Sequence, residues 1–300
     1  MNCLVITADD FGLAREVNEA VEIGCSKGIL SAASLMVSAA HAEDAVSRAS
    51  RLPGLRVGLH LALTNASPML SPKQIPRLVD GRGRLRSDLV RLGLDLAVSE
   101  AAREQMRAEI EAQFLAFRST GLQLDHVNVH QHFHLHPIVA AMIIDIGARF
   151  GPLTLRVPRE PPRIVQSRRL SGKIVEDLCS RLLHRRALRC GVVSPDAVFG
   201  LRWSGKVTRE RLRLLLEGLP HGFWEIYLHP ATRDVFSGHE PGYRYVEELG
   251  ALLDPANAEA LRRSGRRLCG YRDAVAFRRD AAIHESKRCS SGTNSFSRGL

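Results

Sequence analysis

Short apolar runs alternate along this chain with stretches of helical period. Residues 3–8 (Cys-Leu-Val-Ile-Thr-Ala) read as a fully buried strand that runs into Asp9-Asp10-Phe11-Gly12. A helix over 16–28 is stopped by Gly28. A strand at 33–37, a helix over 41–52 closed by Pro53-Gly54, and a strand at 56–61 carrying His60 come next. Residues 66–95 are rich in Pro, Gly and Arg and read as an inserted loop, with a lid as one use. The clearest helix covers 99–120, with Met106, Ile110, Phe114 and Phe117 on its apolar face and Gly121 at its end.

Residues 125–137 hold five of the twelve histidines, with His130, His132, His134 and His136 at every second position. On an extended strand that spacing places all four on one face. Alternate side chains there stand roughly 6.6 Å apart. One or two of them could therefore reach a given ion, and further ligands must come from elsewhere. Pro137 opens an apolar helix over 138–150, and a strand at 154–157 leads into Pro158-Arg159-Glu160-Pro161. Beyond a basic segment, a short strand and Gly-bearing loop (197–206), a helix (208–217) and a strand ending in His229 (224–230) are expected. Helices at 243–253 and 255–264 and a strand at 267–270 complete the pattern. Some seven strands alternating with helices predict an α/β fold, a parallel sheet or barrel. Its chemistry would collect at the carboxyl ends of the strands. Asp9, Asp10, His60, His130, Arg156 and His229 all fall at such ends.

Composition narrows the choice. At 45% hydrophobic and 25% charged residues the chain can build a full core. It is expected to be one catalytic domain over 1–280, with a Ser/Arg/Gly-rich, disordered tail over 281–300. No apolar run approaches a membrane span. Six scattered cysteines with no Cys-x-x-Cys pair, and acidic residues close to the start, point to the cytoplasm. The net charge of +10 is almost all arginine, since lysine occurs five times. Only 5% of residues are aromatic, and they are not interleaved with the basic ones, so nucleic acid is not an expected partner. Segment 163–190 concentrates the charge, with eight basic residues from Arg163 to Arg189 against Glu176 and Asp177. Leu170, Ile174, Leu178, Leu182 and Leu183 recur there at helical spacing. Such a helix either packs on the core with a solvated basic face or lies on an anionic membrane.

Two adjacent carboxylates repel at a strand end, and a helix cap explains only one of them. One carboxylate and two imidazoles suit a divalent ion with open positions, at which a bound water could attack a carbonyl. The spare aspartate could take the water's proton, another histidine could protonate the leaving group, and an arginine could hold the aspartate or the substrate. These are parts for metal-assisted amide hydrolysis. Thr7-Ala8-Asp9-Asp10-Phe11-Gly12, Gly58-Leu59-His60-Leu61, His130-Gln131-His132-Phe133-His134 and His229-Pro230 resemble the motifs of the YdjC/ChbG-like carbohydrate deacetylases. The likeness runs in order from residue 3 to about 275, and departs from the family's Asp-Ser-His at Asn128-Val129-His130. Arg156 to Pro161, Leu201 to Gly205 and Glu225 to Pro230 are most similar to the hopanoid-biosynthesis-associated branch, HpnK.

The resemblance implies an irregular (β/α) barrel with parallel strands, polysaccharide-deacetylase-like. It implies one divalent metal ion, zinc or magnesium, on Asp10, His60 and His130. Asp9 would be the general base and His229 the acid or oxyanion stabiliser. His134, Arg156, Glu160 and Trp203 would bind substrate or support the site, while His132 would face the same rim and His136 would start a helix. The implied reaction removes the N-acetyl group from an amino sugar, with N-acetylglucosaminyl hopanoid as the closer expectation. The implied partners are an amino-sugar glycolipid or oligosaccharide substrate, peripheral contact with an anionic membrane, and a homodimer as an open choice. A chitooligosaccharide or phosphoester hydrolase is the alternative enzyme. A non-catalytic sugar- or lipid-binding barrel is the alternative outside enzymes, and it leaves the second aspartate without a use.

Overall fold

A computed structural model describes residues 2–161 and 173–277. Its first half runs β1 (Cys3–Phe11), α1 (Arg15–Lys27), β2 (Ala32–Leu35), α2 (Ala42–Ala49), β3 (Arg56–Leu61), α3 (Leu89–Val98) and α4 (Glu100–Ser119). Then come β4 (Val127–Val129), a 3-10 segment (His130–Leu135), α5 (Pro137–Ala148) and α6 (Lys173–Arg189). The chain continues with β5 (Ala197–Phe199), α7 (Arg209–Gly218), β6 (Phe223–Leu228), α8 (Tyr245–Leu253), α9 (Pro255–Arg263) and β7 (Arg267–Leu268). The expected tail and the start of the basic segment, 163–172, lie outside the described residues. Among the described residues no helix is long and apolar enough to cross a membrane.

The strands are parallel and ordered β4-β3-β2-β1-β6-β5, with β7 beside the start of β1. Parallel bridges Val127–Leu155 and Thr154–Val193 carry the pairing past β4 to the chain that enters β5. The sheet thus curls into the expected irregular barrel. Where a strand was expected at 154–157 there are only these single bridges.

Alternation along β1 separates two interiors. Leu4, Ile6 and Ala8 pack outward in the main core under the helices. Cys3 and Val5 face the barrel axis, where Ala32, Phe223 and Tyr271 join them to plug its lower end. One step higher the lining turns polar, with Thr7 donating to Glu225 at 2.7 Å. Both faces of the strand are buried, which explains its continuous apolar run. Gly58 on β3 is required by a close approach: a Cβ there would lie 2.5 Å from the His126 ring.

The insertion departs from expectation. Its last part is α3, and the segment before it holds a single antiparallel bridge, Val79–Leu85. Two polar residues on the buried face of α4 pin it. Glu109 accepts from the Met69 and Leu70 amides at 2.7 and 2.9 Å, and Gln113 pairs with both main-chain groups of Ala62.

The histidine-rich stretch is corrected most. Only Val127–Val129 is strand, because Gln131 and His132 take left-handed backbone (φ 54° at both) and the chain winds into a 3-10 turn. Period-two alternation is lost, so the four histidines do not share a face.

Candidate functional site

A cavity of about 810 Å³ opens at the carboxyl ends of the strands. Asp9, Asp10, His60, His130, His229 and Glu160 all line it. The two aspartates are neighbours, and on a regular strand they would point to opposite faces. Here the β1–β2 register slips by one residue between Ala8 and Phe11, and Asp10 adopts φ 62°. That bulge turns Asp10 inward beside Asp9. Asp10, Asn65, Gln131 and His132 are the non-glycine residues with left-handed backbone among those described, and all four line this cavity. Backbone strain concentrated at one place is a mark of a functional site.

Asp10, His60 and His130 form the described cluster of donors close enough to share an ion. His60 Nε2 lies 3.2 Å and His130 Nδ1 3.1 Å from Asp10 Oδ1, and the two ring nitrogens are 3.3 Å apart. Ligands at bonds of about 2.1 Å stand roughly 3.4 Å apart around a tetrahedral ion and about 3.0 Å apart around an octahedral one. The spacing fits a divalent ion and does not choose between zinc and magnesium. Asn128 prepares one of the donors. Its Oδ1 accepts from His60 Nδ1 at 2.7 Å, so that ring's other nitrogen carries the lone pair. Its Nδ2 donates to Asp9 Oδ1 and to Ser34 Oγ, both at 2.9 Å.

Arg156 lies beneath the cavity floor, fully buried. It forms ion pairs with Asp9 and Glu225, and its NH2 donates to Asp9 Oδ1 at 2.9 Å and to Glu225 Oε1 at 2.7 Å. Tyr271 also donates to Glu225. Burial alone would raise the Asp9 pKa, but Arg156 and then His60 outweigh it and hold the carboxyl below its ordinary range. Asp9 and Glu225 share the Arg156 guanidinium, whereas the buried Asp10 lies against the His60 and His130 rings, where a divalent cation would balance its charge.

His229 takes its place at the end of β6. Its main-chain amide donates to Glu248, and its ring packs 5.0 Å from that of Tyr243. Burial lowers its pKa and favours the neutral ring. Glu248 is itself fully buried, accepts a second amide bond from Val207 at 2.8 Å, and is pushed up to about 8 by burial. Glu160 accepts from the Gly200 and Arg202 amides at 2.9 and 3.0 Å, tying the loop after β5 to the cavity wall.

Besides Arg156 beneath the floor, two expected residues do not reach the cavity. His134 is fully buried, and its Nε2 donates to the Arg156 carbonyl at 2.8 Å, so it supports the main chain of Arg156 from behind. Trp203 is half-buried with the Arg211 guanidinium 5.2 Å over its ring, apart from the cavity lining. His132 does line the cavity, 3.4 Å from the Tyr227 hydroxyl, whereas His136 caps α5 and packs against Gly93. Sequence reasoning missed Glu225 and Glu248. Each left a signal, an acid on the inward face of a buried strand and an acid among the apolar positions Tyr245, Leu249 and Leu252 of α8.

Fold and site together define a parallel (β/α) barrel with an aspartate–histidine–histidine donor cluster, spaced to hold a cation, at its carboxyl end. The chain belongs to the YdjC-like protein family, whose profile matches residues 3–263. It is similar to a carbohydrate deacetylase from Thermoanaerobacter pseudethanolicus, 26% identical over 283 residues, covering 94% of this chain and 96% of that protein. A carbohydrate deacetylase from Brevibacillus brevis is 35% identical over 159 residues, 53% of this chain, and the match spans 59% of that relative's length. A solved Enterococcus faecalis protein, assigned provisionally to cellobiose-phosphate cleavage, shares the fold with a TM-score of 0.69 at 23% identity, covering 91% of this chain and 98% of that one.

Proposed function

We propose that this protein is a metal-dependent N-deacetylase that releases acetate from an N-acetylglucosamine-bearing substrate. The observation that carries the reading is a carboxylate, Asp9, held ionised beside a separate Asp10–His60–His130 donor set in one cavity. A binding protein needs no such second carboxylate. The names of its relatives point the same way. A divalent ion on the three donors would supply Lewis acidity, lowering the pKa of water and polarising the acetyl carbonyl.

Asp9 stays ionised because Arg156 grips it, and so remains a proton acceptor throughout the neutral range. Its depressed pKa makes it a weak base but, once protonated, a ready donor. It takes the proton of the attacking water and passes it to the departing nitrogen as the C–N bond breaks. Neutral His229 would donate a hydrogen bond to the oxygen that develops charge, which favours the oxyanion role over that of an acid. Asn128 and Arg156 keep Asp9 in place between them.

For the substrate, the finer reading is an N-acetylglucosaminyl hopanoid, resting on the likeness of Arg156 to Pro161 and Leu201 to Gly205 to that branch of the family. Mass spectrometry of the reaction should show loss of one acetyl group from that glycolipid. Turnover of diacetylchitobiose alone would make the protein a chitooligosaccharide deacetylase. Asp9→Asn should lower turnover by at least about a hundredfold while the bound metal, measured by elemental analysis, is retained. A metal-replete wild type that releases no acetate from either substrate would refute the enzyme reading.

A further inference from the structure

We propose that α6 is an interfacial helix that seats the protein on an anionic lipid surface, beside the cavity mouth. The helix has two sides, one toward the barrel and cavity and one toward solvent. Ser180, Leu183 and Ala187 are buried against the barrel, and Glu176 and Asp177 reach the cavity lining. The remaining side leaves Val175, Leu178 and Leu182 exposed at 66%, 57% and 52%. At 100° per residue these three share an arc of about 100° with Arg185, Arg186 and Arg189. Arg181 and Leu188, both exposed, lie about 40° and 60° beyond it. Neither acid of the helix falls within that arc, and no ion pair holds the four arginines among the described residues.

Unpaired cations interspersed with unburied aliphatic side chains suit a bilayer interface. The arginines would meet phosphate headgroups while the aliphatic groups enter the acyl boundary. Nucleic acid would satisfy the arginines but leave Val175, Leu178 and Leu182 in water, and no aromatic group stands among them to stack on bases. Helix α3 makes a useful contrast. It exposes Val90, Leu94 and Val98, but Arg91 pairs with Asp88 and Asp95 with Arg86, so charge selects no occupant there. Because Glu176 and Asp177 border the cavity, α6 docked on a membrane would bring the cavity opening close to the headgroups.

Lipid binding needs no turnover and can be measured apart from it. The full chain should sediment with vesicles containing phosphatidylglycerol and far less with pure phosphatidylcholine. Each arginine near an anionic surface strengthens binding about fivefold, so Arg185→Gln with Arg186→Gln should weaken it about twenty-five-fold. Leu178→Ser with Leu182→Ser should weaken it as well and remove the part that resists salt. An unchanged thermal melt would show that both variants fold. No binding by the wild type, or equal binding by the arginine variant, would overturn the proposal. So would a dimer that Leu178→Ser dissociates in a protein that ignores vesicles.

Discussion

Single side chains decide whether this cavity can hold an ion. Asn128 stands between a prospective ligand and a prospective base, accepting from His60 and donating to Asp9. Groups behind a ligand set its tautomer, and their loss typically weakens metal affinity about 10–100-fold. Asn128→Ala should show a loss of that size in a chelator-competition titration, together with a lower melt of the metal-free protein, because His60, Asp9 and Ser34 each lose a buried partner. Glu248 makes a prediction in pH. Its folded pKa, about 8, lies above the ordinary value of 4.5. Between those values the unfolded chain has given up a proton that the fold retains, so this group makes stability fall as pH rises through that window. Asp9 acts in the opposite sense. Its folded pKa lies below the ordinary 3.8, so its contribution is present above that pH and is lost on acidification below it. Denaturant titrations of wild type and Glu248→Gln from pH 4.5 to 8 should therefore converge at the acid end and separate in favour of the variant at the alkaline end.

At the scale of elements, much was legible. The apolar face of α4, with Met106, Ile110, Phe114 and Phe117, is buried as its 3.6-residue period requires. Strands β1, β3 and β6 fall where their apolar runs place them, and each bears site residues at or just past its carboxyl end. In the histidine segment, alternation in sequence does not become alternation in space. Two residues with positive φ suffice to turn a strand into a 3-10 turn, and no residue type at 131 or 132 announces it. The insertion differs from expectation at its end for another reason: the apolar run of α3 directly follows the stretch that carries Arg77, Arg82, Arg84 and Arg86 and has no separate boundary in composition. Packing between elements makes its own prediction at Gly58. A Cβ there meets the His126 ring at 2.5 Å, and that ring is held by Ser34 and Asp125. Gly58→Ala should cost about 1–3 kcal/mol, the usual penalty of overpacking, read from denaturant unfolding.

Over the whole molecule, the barrel brings β1, β3, the end of β4 and β6 to one rim, so residues 9, 60, 130 and 229 meet although the chain separates them widely. An ion bound there couples to folding, because an unfolded chain has no such site. With free metal at 100 times its dissociation constant, removal should lower stability by about 2.7 kcal/mol. For a chain of this length that corresponds to a melting temperature lower by roughly 4–5 °C. Calorimetry before and after dialysis against a chelator tests this, and readdition of zinc, magnesium or manganese in turn should identify which restores the transition. The chain by itself determined the parallel α/β class and the strand ends that carry polar residues, since period and residue type are local properties, while Asp10, His60 and His130 as a ligand set came as an expectation from the resemblance. Tertiary structure alone decided that Asp9 and Asp10 face one cavity, that Arg156 grips the first from below, and that of the alternating histidines His130 comes within 3.3 Å of His60 and Asp10 while His134 turns away. Those outcomes rest on a one-residue slip in register and on groups buried from opposite walls of the barrel, which no spacing along the chain records.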